Sequence, residues 1–488
     1  MHIAVIGAGF GGLSAAIRLR ALGHAVTIYE KLEQPGGRAA VFARDGFTFD
    51  AGPTIITAPW MIDELFALGG WRTADYVSLV RLDPCYHVRF EDGSVFRYHA
   101  DRDRLREEVR RFNPGDADGY ERFARDAARI FGAGMALIDT PFTSLASLVR
   151  AVPALARLRA DRSVADLVNR HFRDPRLRQV FSFHPLLVGG NPFRTTSVYA
   201  LIHVLEQSWG VWFAMGGTGV LVGALVRLFE ELGGHIEYGR EATQILIDSA
   251  ARRATGLRFA DGAAHRFDAI VSNADAAWTY LHLVPDAVRR RWTNARIARS
   301  RFSMSLFVLY FGTTRQYPDL AHHEILMGPR YRELLDDIFE RKVLAPDFSL
   351  YLHRPTATDP SLAPPGHDAW YALSPVPHLG GATDWDEAAP RYRDAIVRYL
   401  DDRYVPGLSS HIVSESVVDP RHFRDTLNSH LGSAFSFEPV FAQSAWFRPH
   451  NRSEEIENLY FCGAGTHPGA GLPGVISSGK IVASLVGR

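Results

Sequence analysis

His2-Ile3-Ala4-Val5-Ile6-Gly7-Ala8-Gly9-Phe10-Gly11-Gly12 stands at the head of a 488-residue chain, and its reading decides the fold. Five residues of apolar character make a short buried strand, and Gly7-x-Gly9-x-x-Gly12 makes a tight turn. Leu13 to Leu22 then carries apolar residues at helical spacing, with Gly23 as the stop. Ala25 to Tyr29 is a second strand and ends at Glu30. This is a βαβ unit with a right-handed crossover. Each glycine has its own task. Gly7 permits the turn, Gly9 lets backbone approach a pyrophosphate, and Gly12 lets helix pack on strand. The helix aims its free N–H groups at the phosphates. Glu30 follows Gly12 by 18 residues, where a carboxylate accepts from a ribose 2′-OH and repels the 2′-phosphate of NADP.

A second glycine run lies at the far end. Tyr460-Phe461-Cys462 reads as a strand, Gly463-Ala464-Gly465-Thr466 as a turn, and Gly474 onward, through Val475, as a helix. Two glycine motifs at opposite ends imply one dinucleotide held by both, so the chain must fold back on itself. Between them, Gly36-Gly37-Arg38 and Asp50-Ala51-Gly52-Pro53-Thr54 offer close backbone approach and a cationic fork.

A chain this long divides into two or three domains. The expected fold class is α/β, with an α+β substrate part. Residues 1–75, 212–295 and 440–488 form a discontinuous Rossmann-like dinucleotide domain. Residues 76–100 and 296–439 form an antiparallel-sheet substrate domain, with alternating runs such as 305–311. Residues 101–211 form a helical domain. A net charge of zero gives no global pull toward nucleic acid. Two cysteines, Cys85 and Cys462, exclude a disulfide framework and a thiolate metal cluster. No signal peptide is expected ahead of the first strand, and there is no run of about 18 apolar residues. The expectation is a cytoplasmic protein, soluble or peripheral on the inner face of the membrane.

Residues 142–180 hold eight arginines against three aspartates, with Leu145, Leu148, Val149, Val152, Leu155, Ala156 and Leu158 at near-helical spacing. A basic amphipathic helix of this kind can lie in a membrane interface, or be an ordinary solvated helix face. His322-His323 is the only adjacent histidine pair and reads as a solvated loop, so no metal site is expected. No Ser-His-Asp order or HExxH motif points to a catalytic side chain.

Gly36-Gly37-Arg38 and Asp50 to Thr54 resemble motifs of the flavin amine oxidase and protoporphyrinogen oxidase superfamily. The run Gly463-Ala464-Gly465-Thr466-His467-Pro468-Gly469-Ala470-Gly471-Leu472-Pro473-Gly474 resembles the signature of carotenoid desaturases of the bacterial phytoene desaturase type. Residues 181–192, 209–213 and 443–450 extend that likeness along the whole chain. The resemblance implies FAD as the redox cofactor and C=C bond formation in phytoene and partly desaturated carotenes, ending at all-trans-lycopene. It implies hydride transfer to flavin N5, with oxygen or a quinone as the final acceptor. It places the cofactor on Gly7, Gly9, Gly12, Glu30, Gly37, Arg38, Gly52, Pro53, Gly463, Gly465, Thr466, Gly474 and Val475. Ala464 and Thr466 stand where many flavoproteins of this fold carry an acid, so no carboxylate holds the ribitol. Phytoene has no polar group, so its binding rests on apolar burial, at about 25 cal/mol per Å². Aromatics at 181–183 and 209–213 could line a tunnel or pack a core. Alternatives are a carotenoid isomerase, a desaturase stopping at zeta-carotene or neurosporene or continuing to didehydrolycopene, and a non-catalytic carotenoid-binding flavoprotein. Only Gly7-x-Gly9-x-x-Gly12 reads as a complete strand-turn-helix fingerprint, which leaves no evident second Rossmann domain for a nicotinamide.

Overall fold

The computed structural model describes residues 1–143 and 161–486. Its first sheet gathers strands from the start, middle and end of the chain. The order is Leu459–Phe461, Ala269–Ser272, β1 (His2–Ile6), β2 (Ala25–Tyr29), His235–Glu237. Every neighbouring pair is parallel, with Ile3 opposite Ala269 and Val26. The inner strands β1 and Ala269–Ser272, with Leu459–Phe461, are short apolar runs without alternation, the pattern of a parallel sheet covered on both faces. Helix α1 (Phe10–Ala21) covers one face together with Leu472–Leu485. The two helices pack closely: Ser14 Oγ donates to Ile476 O at 2.8 Å. A Cβ on Gly479 would come within 2.6 Å of Ala15 N.

Both helices flanking the glycine turns begin earlier than their apolar periodicity implies. α1 starts at Phe10, capped by Gly9, whose carbonyl accepts from Leu13 N at 2.9 Å. The C-terminal helix starts at Leu472, because Pro473 sits in the first turn, where no N–H is needed.

The second sheet has seven strands. In order they are Ile412–Val418, Ser305–Thr313, Asp368–Val376, Leu350–His353, His323–Leu326, Tyr86–Arg89 and Val95–Tyr98. It is not wholly antiparallel, since Tyr86–Arg89 pairs parallel with His323–Leu326. Nor does its second strand alternate between core and solvent. All nine residues of Ser305–Thr313 are buried. Phe307, Leu309 and Phe311 pack toward Trp385, Ile396 and Leu400 of helix Trp385–Arg403. Leu306, Val308 and Tyr310 face the opposite core, beside Phe47 and Phe49. A hairpin of β3 (Val41–Arg44) and β4 (Phe47–Asp50) joins the two sheets.

Helices Arg102–Phe112, Ala117–Ile138, Pro175–Ser182 and Leu201–Trp209 surround an aromatic core. Phe172 and Phe181 stack there at 4.5 Å. The basic amphipathic segment centred on Leu145–Leu158 lies outside the described residues. Among the described residues no helix is long and apolar enough to cross a membrane. Cys85 and Cys462 are both buried and unbridged.

Candidate active site

A cavity of about 550 Å³ opens between the two sheets and takes its walls from both chain ends. Its groove side is built of turns at the C-terminal edge of the parallel sheet, where ligands of α/β folds bind. Gly7, Gly9, Glu30, Gly37, Arg38, Gly52, Pro53, Gly463, Gly474 and Val475 all line it. Gly7 has φ +93° and donates to Tyr29 O at 2.9 Å, which fixes the turn over the strand ends. Gly52 is the tightest point. A Cβ there would lie 1.7 Å from Arg38 O, so only glycine lets these two loops meet. Glu30 is 5% exposed and accepts from Ala8 N at 2.7 Å and Leu32 N at 3.0 Å. A carboxylate has about four acceptor sites, so Glu30 holds the turn and keeps acceptor capacity on the cavity side.

Three expected residues lie outside the lining. Gly12 serves packing, because a Cβ would meet Gly7 O at 2.1 Å. Gly465 is pressed against Ala276 and Ser436. Thr466 is buried and donates its hydroxyl to Pro449 O at 2.6 Å, which turns it away from the cavity. Gly11, by contrast, sits where the chain ends touch: its Cβ would be 2.8 Å from Gly463 N.

The groove also contains residues that motif reading missed. Asn273, Ala274 and Asp275 follow strand Ala269–Ser272 and line it. Their signal was positional, since they end a strand of the parallel sheet. Asp275 Oδ1 accepts from Trp278 N at 3.0 Å, while its Oδ2 is buried without a partner. Arg38 donates from Nη2 to Ser429 Oγ at 2.5 Å, and its Nε is also unpartnered. Burial lowers the Arg38 pKa, and Asp275 opposes that shift. Orphaned buried polar atoms facing a glycine-lined groove are what a flavin dinucleotide, with its polar ring edge and pyrophosphate, would satisfy.

Beyond the groove the cavity becomes apolar. Leu306, Val308 and Leu373 from the seven-stranded sheet face Leu334, Leu335 and Ile338. Of the aromatics considered for a tunnel, Phe183 lines the cavity, but Phe181, Trp209, Trp212 and Phe213 do not. Phe181 belongs to the helical core, Trp209 packs on Trp60 and Phe131, and Phe213 packs on His322.

His322-His323 is not a solvated loop. His322 is 7% exposed and His323 fully buried at the start of strand His323–Leu326, in the middle of the seven-stranded sheet. His353 of the neighbouring strand joins them, with reactive nitrogens of all three within 4.8 Å of one another. Burial pushes the His323 pKa down to about 3, opposed by Glu324. Asp50 lies behind the wall, buried at the end of β4. Its Oδ1 accepts from Thr218 N at 2.7 Å, at the start of helix Thr218–Glu231. Burial pushes its pKa up to about 7, against the hydrogen bonds from Thr218 and Gly219.

The fold and groove define a flavoprotein oxidoreductase. The chain belongs to the flavin containing amine oxidoreductase family, whose model matches residues 10–487. It is 51% identical over 484 residues to a phytoene desaturase (lycopene-forming) of Pseudescherichia vulneris, covering 99% of this chain and 98% of the relative. It is 43% identical over 488 residues to a phytoene desaturase (neurosporene-forming) of Rhodobacter capsulatus, covering 99% and 93%. Among solved structures, an oxidoreductase from Methanosarcina mazei shares the fold, with a TM-score of 0.67, 17% identity and full coverage of both chains.

Proposed function

We propose that this chain is an FAD-dependent phytoene desaturase that carries phytoene through to all-trans-lycopene. The observation that carries this reading is the cavity itself, a dinucleotide groove continuous with a chamber of leucine and valine side chains. Such a chamber suits a hydrocarbon and offers little to a polar amine. The higher identity to the lycopene-forming relative, 51% against 43%, favours lycopene over neurosporene.

When bound, the flavin supplies a two-electron acceptor for hydride from an allylic carbon. The chain does the rest. Glu30 would hold the ribose, the glycine turns would admit the pyrophosphate, and Arg38 and Asp275 would serve the polar ring edge. The apolar wall excludes water and aligns the hydrocarbon. Burying each CH2 of substrate contributes about 0.8 kcal/mol. Oxygen or a quinone reoxidises the cofactor.

A substrate dissolved in membrane also favours peripheral attachment at the inner face, through the basic segment within 142–180. Liposome flotation tests this: the intact protein floats and a form lacking residues 145–158 does not. Equal flotation would exclude that role. For the reaction, anaerobic incubation with phytoene followed by product chromatography is the test. An unchanged oxidation level would indicate an isomerase, and a flavin that stays oxidised would indicate a carrier.

A further inference from the structure

A desaturation removes two hydrogens from adjacent carbons. One leaves as hydride with the electron pair of its C–H bond, taken by oxidised flavin. The other leaves as a proton, and the electron pair of its C–H bond becomes the new π bond. The substrate loses two electrons, and the proton needs an acceptor inside an apolar cavity. The desaturase reading underlies this argument.

One polar patch interrupts the apolar wall. Thr54, Tyr351 and Tyr371 line the cavity just beyond Gly52-Pro53. Thr54 Oγ1 lies 2.7 Å from Tyr351 OH and 3.0 Å from Tyr371 OH. Tyr351 OH lies 2.7 Å from His323 Nδ1, which is 3.4 Å from His353 Nδ1. His353 Nε2 is 3.8 Å from Asp50 Oδ2, within reach of charge attraction though too long for a hydrogen bond. We propose that Tyr351, held by Thr54, takes the proton released in each desaturation while giving its own hydroxyl proton to His323 Nδ1, that His353 relays the charge to Asp50, and that Asp50 gives the proton up to solvent before the next turnover.

Two features support a relay over plain packing. The Nε2 atoms of His323 and His353 and the Oδ2 of Asp50 are buried without partners among the described residues. Such atoms cost stability, and a purely structural network would satisfy them. Asp50, raised to about 7, is also the strongest base in the row near neutral pH. A carbon next to an allylic cation is strongly acidic, so position matters more than basicity in the first acceptor. Other groups facing the row are His322, which hydrogen-bonds Thr358 at 2.6 Å, Arg354, Glu324 and Tyr371, whose ring stacks on His353 at 5.0 Å.

The test uses the flavin-loaded protein mixed anaerobically with phytoene, read by the rate of flavin bleaching. Tyr351→Phe and Thr54→Val should each slow bleaching, by roughly 10²-fold for the loss of a positioned proton acceptor. Both should lose the solvent deuterium isotope effect and retain phytoene affinity, while Thr54→Ser keeps the wild-type rate. The rate should fall below about pH 7 in the wild type and not in Asp50→Asn. In flavin-free protein, 15N histidine NMR should show the His323 ring signal shifting in Tyr351→Phe and the His353 signal in Asp50→Asn. If wild-type flavin never bleaches, the desaturase reading fails. If it bleaches and the variants match it in rate and isotope effect, the relay alone is overturned. Unmoved histidine signals, or one transition metal per chain bound to the imidazoles, would overturn it as well.

Discussion

Asp50→Asn removes a stability cost that grows with pH, and the structure sets its size. The side chain is 4% exposed, with Oδ1 bonded to Thr218 N and Oδ2 unpartnered. Burial raises its pKa from 3.8 to about 7. At 1.36 kcal/mol per unit, about three units correspond to about 4 kcal/mol. The sign follows from proton binding. The folded chain holds this proton more tightly than the unfolded chain, so its contribution is fully present below about pH 4. It is lost as pH rises through about 7. Asparagine keeps the bond to Thr218 and has no charge to bury. Unfolding entropy of about 2.1 cal/mol/K per residue gives about 1 kcal/mol/K for 488 residues. Paired thermal unfolding of flavin-free wild type and variant should therefore show the variant gaining about 4 °C on the wild type between about pH 4 and pH 8. An equal difference at both ends would refute the argument, because the buried carboxylate would then titrate normally.

Gly52→Ala places a Cβ 1.7 Å from Arg38 O, which forces the Gly36–Arg38 turn out of the groove. The purified variant should hold less than a tenth of the wild-type flavin, read as flavin absorbance per protein, and full flavin content would contradict the close approach. Asp368 is fully buried and binds Arg354 at 3.2 Å, Thr356 Oγ1 at 2.6 Å and Tyr317 N at 2.9 Å. Asp368→Ala strands the Arg354 charge and should cost about 3–5 kcal/mol in denaturant unfolding, whereas a loss under about 1 kcal/mol would deny the ion pair its structural role.

The parts legible in the sequence are those where backbone geometry dictates residue type. Gly7, Gly52 and Gly463 are glycines because φ or a close approach demands it, so the turns and the α/β class could be read from spacing alone. The helix starts at Phe10 and Leu472 were misplaced because glycines and a proline hide the first turn from apolar periodicity. The run 305–311 is expected to alternate as in a sheet with one solvated face, yet a helix covers one face of this strand and the cavity wall the other. The histidine pair misled for a related reason. A strand carrying His323 and the fully buried Glu324 looks polar, and only the sheet order reveals that Glu324 is paired with Arg89 of the next strand and that His323 lies against His353. Asn273 and Asp275 carry no motif. Their role comes from where the chain leaves the parallel sheet.

The most direct measurement is anaerobic mixing of the flavin-loaded protein with phytoene, monitored by flavin absorbance and followed by chromatography of the carotenes. The account predicts bleaching of the flavin with loss of phytoene and, on reoxidation and turnover, accumulation of lycopene. A flavin that stays oxidised while phytoene is bound and recovered unchanged would contradict it.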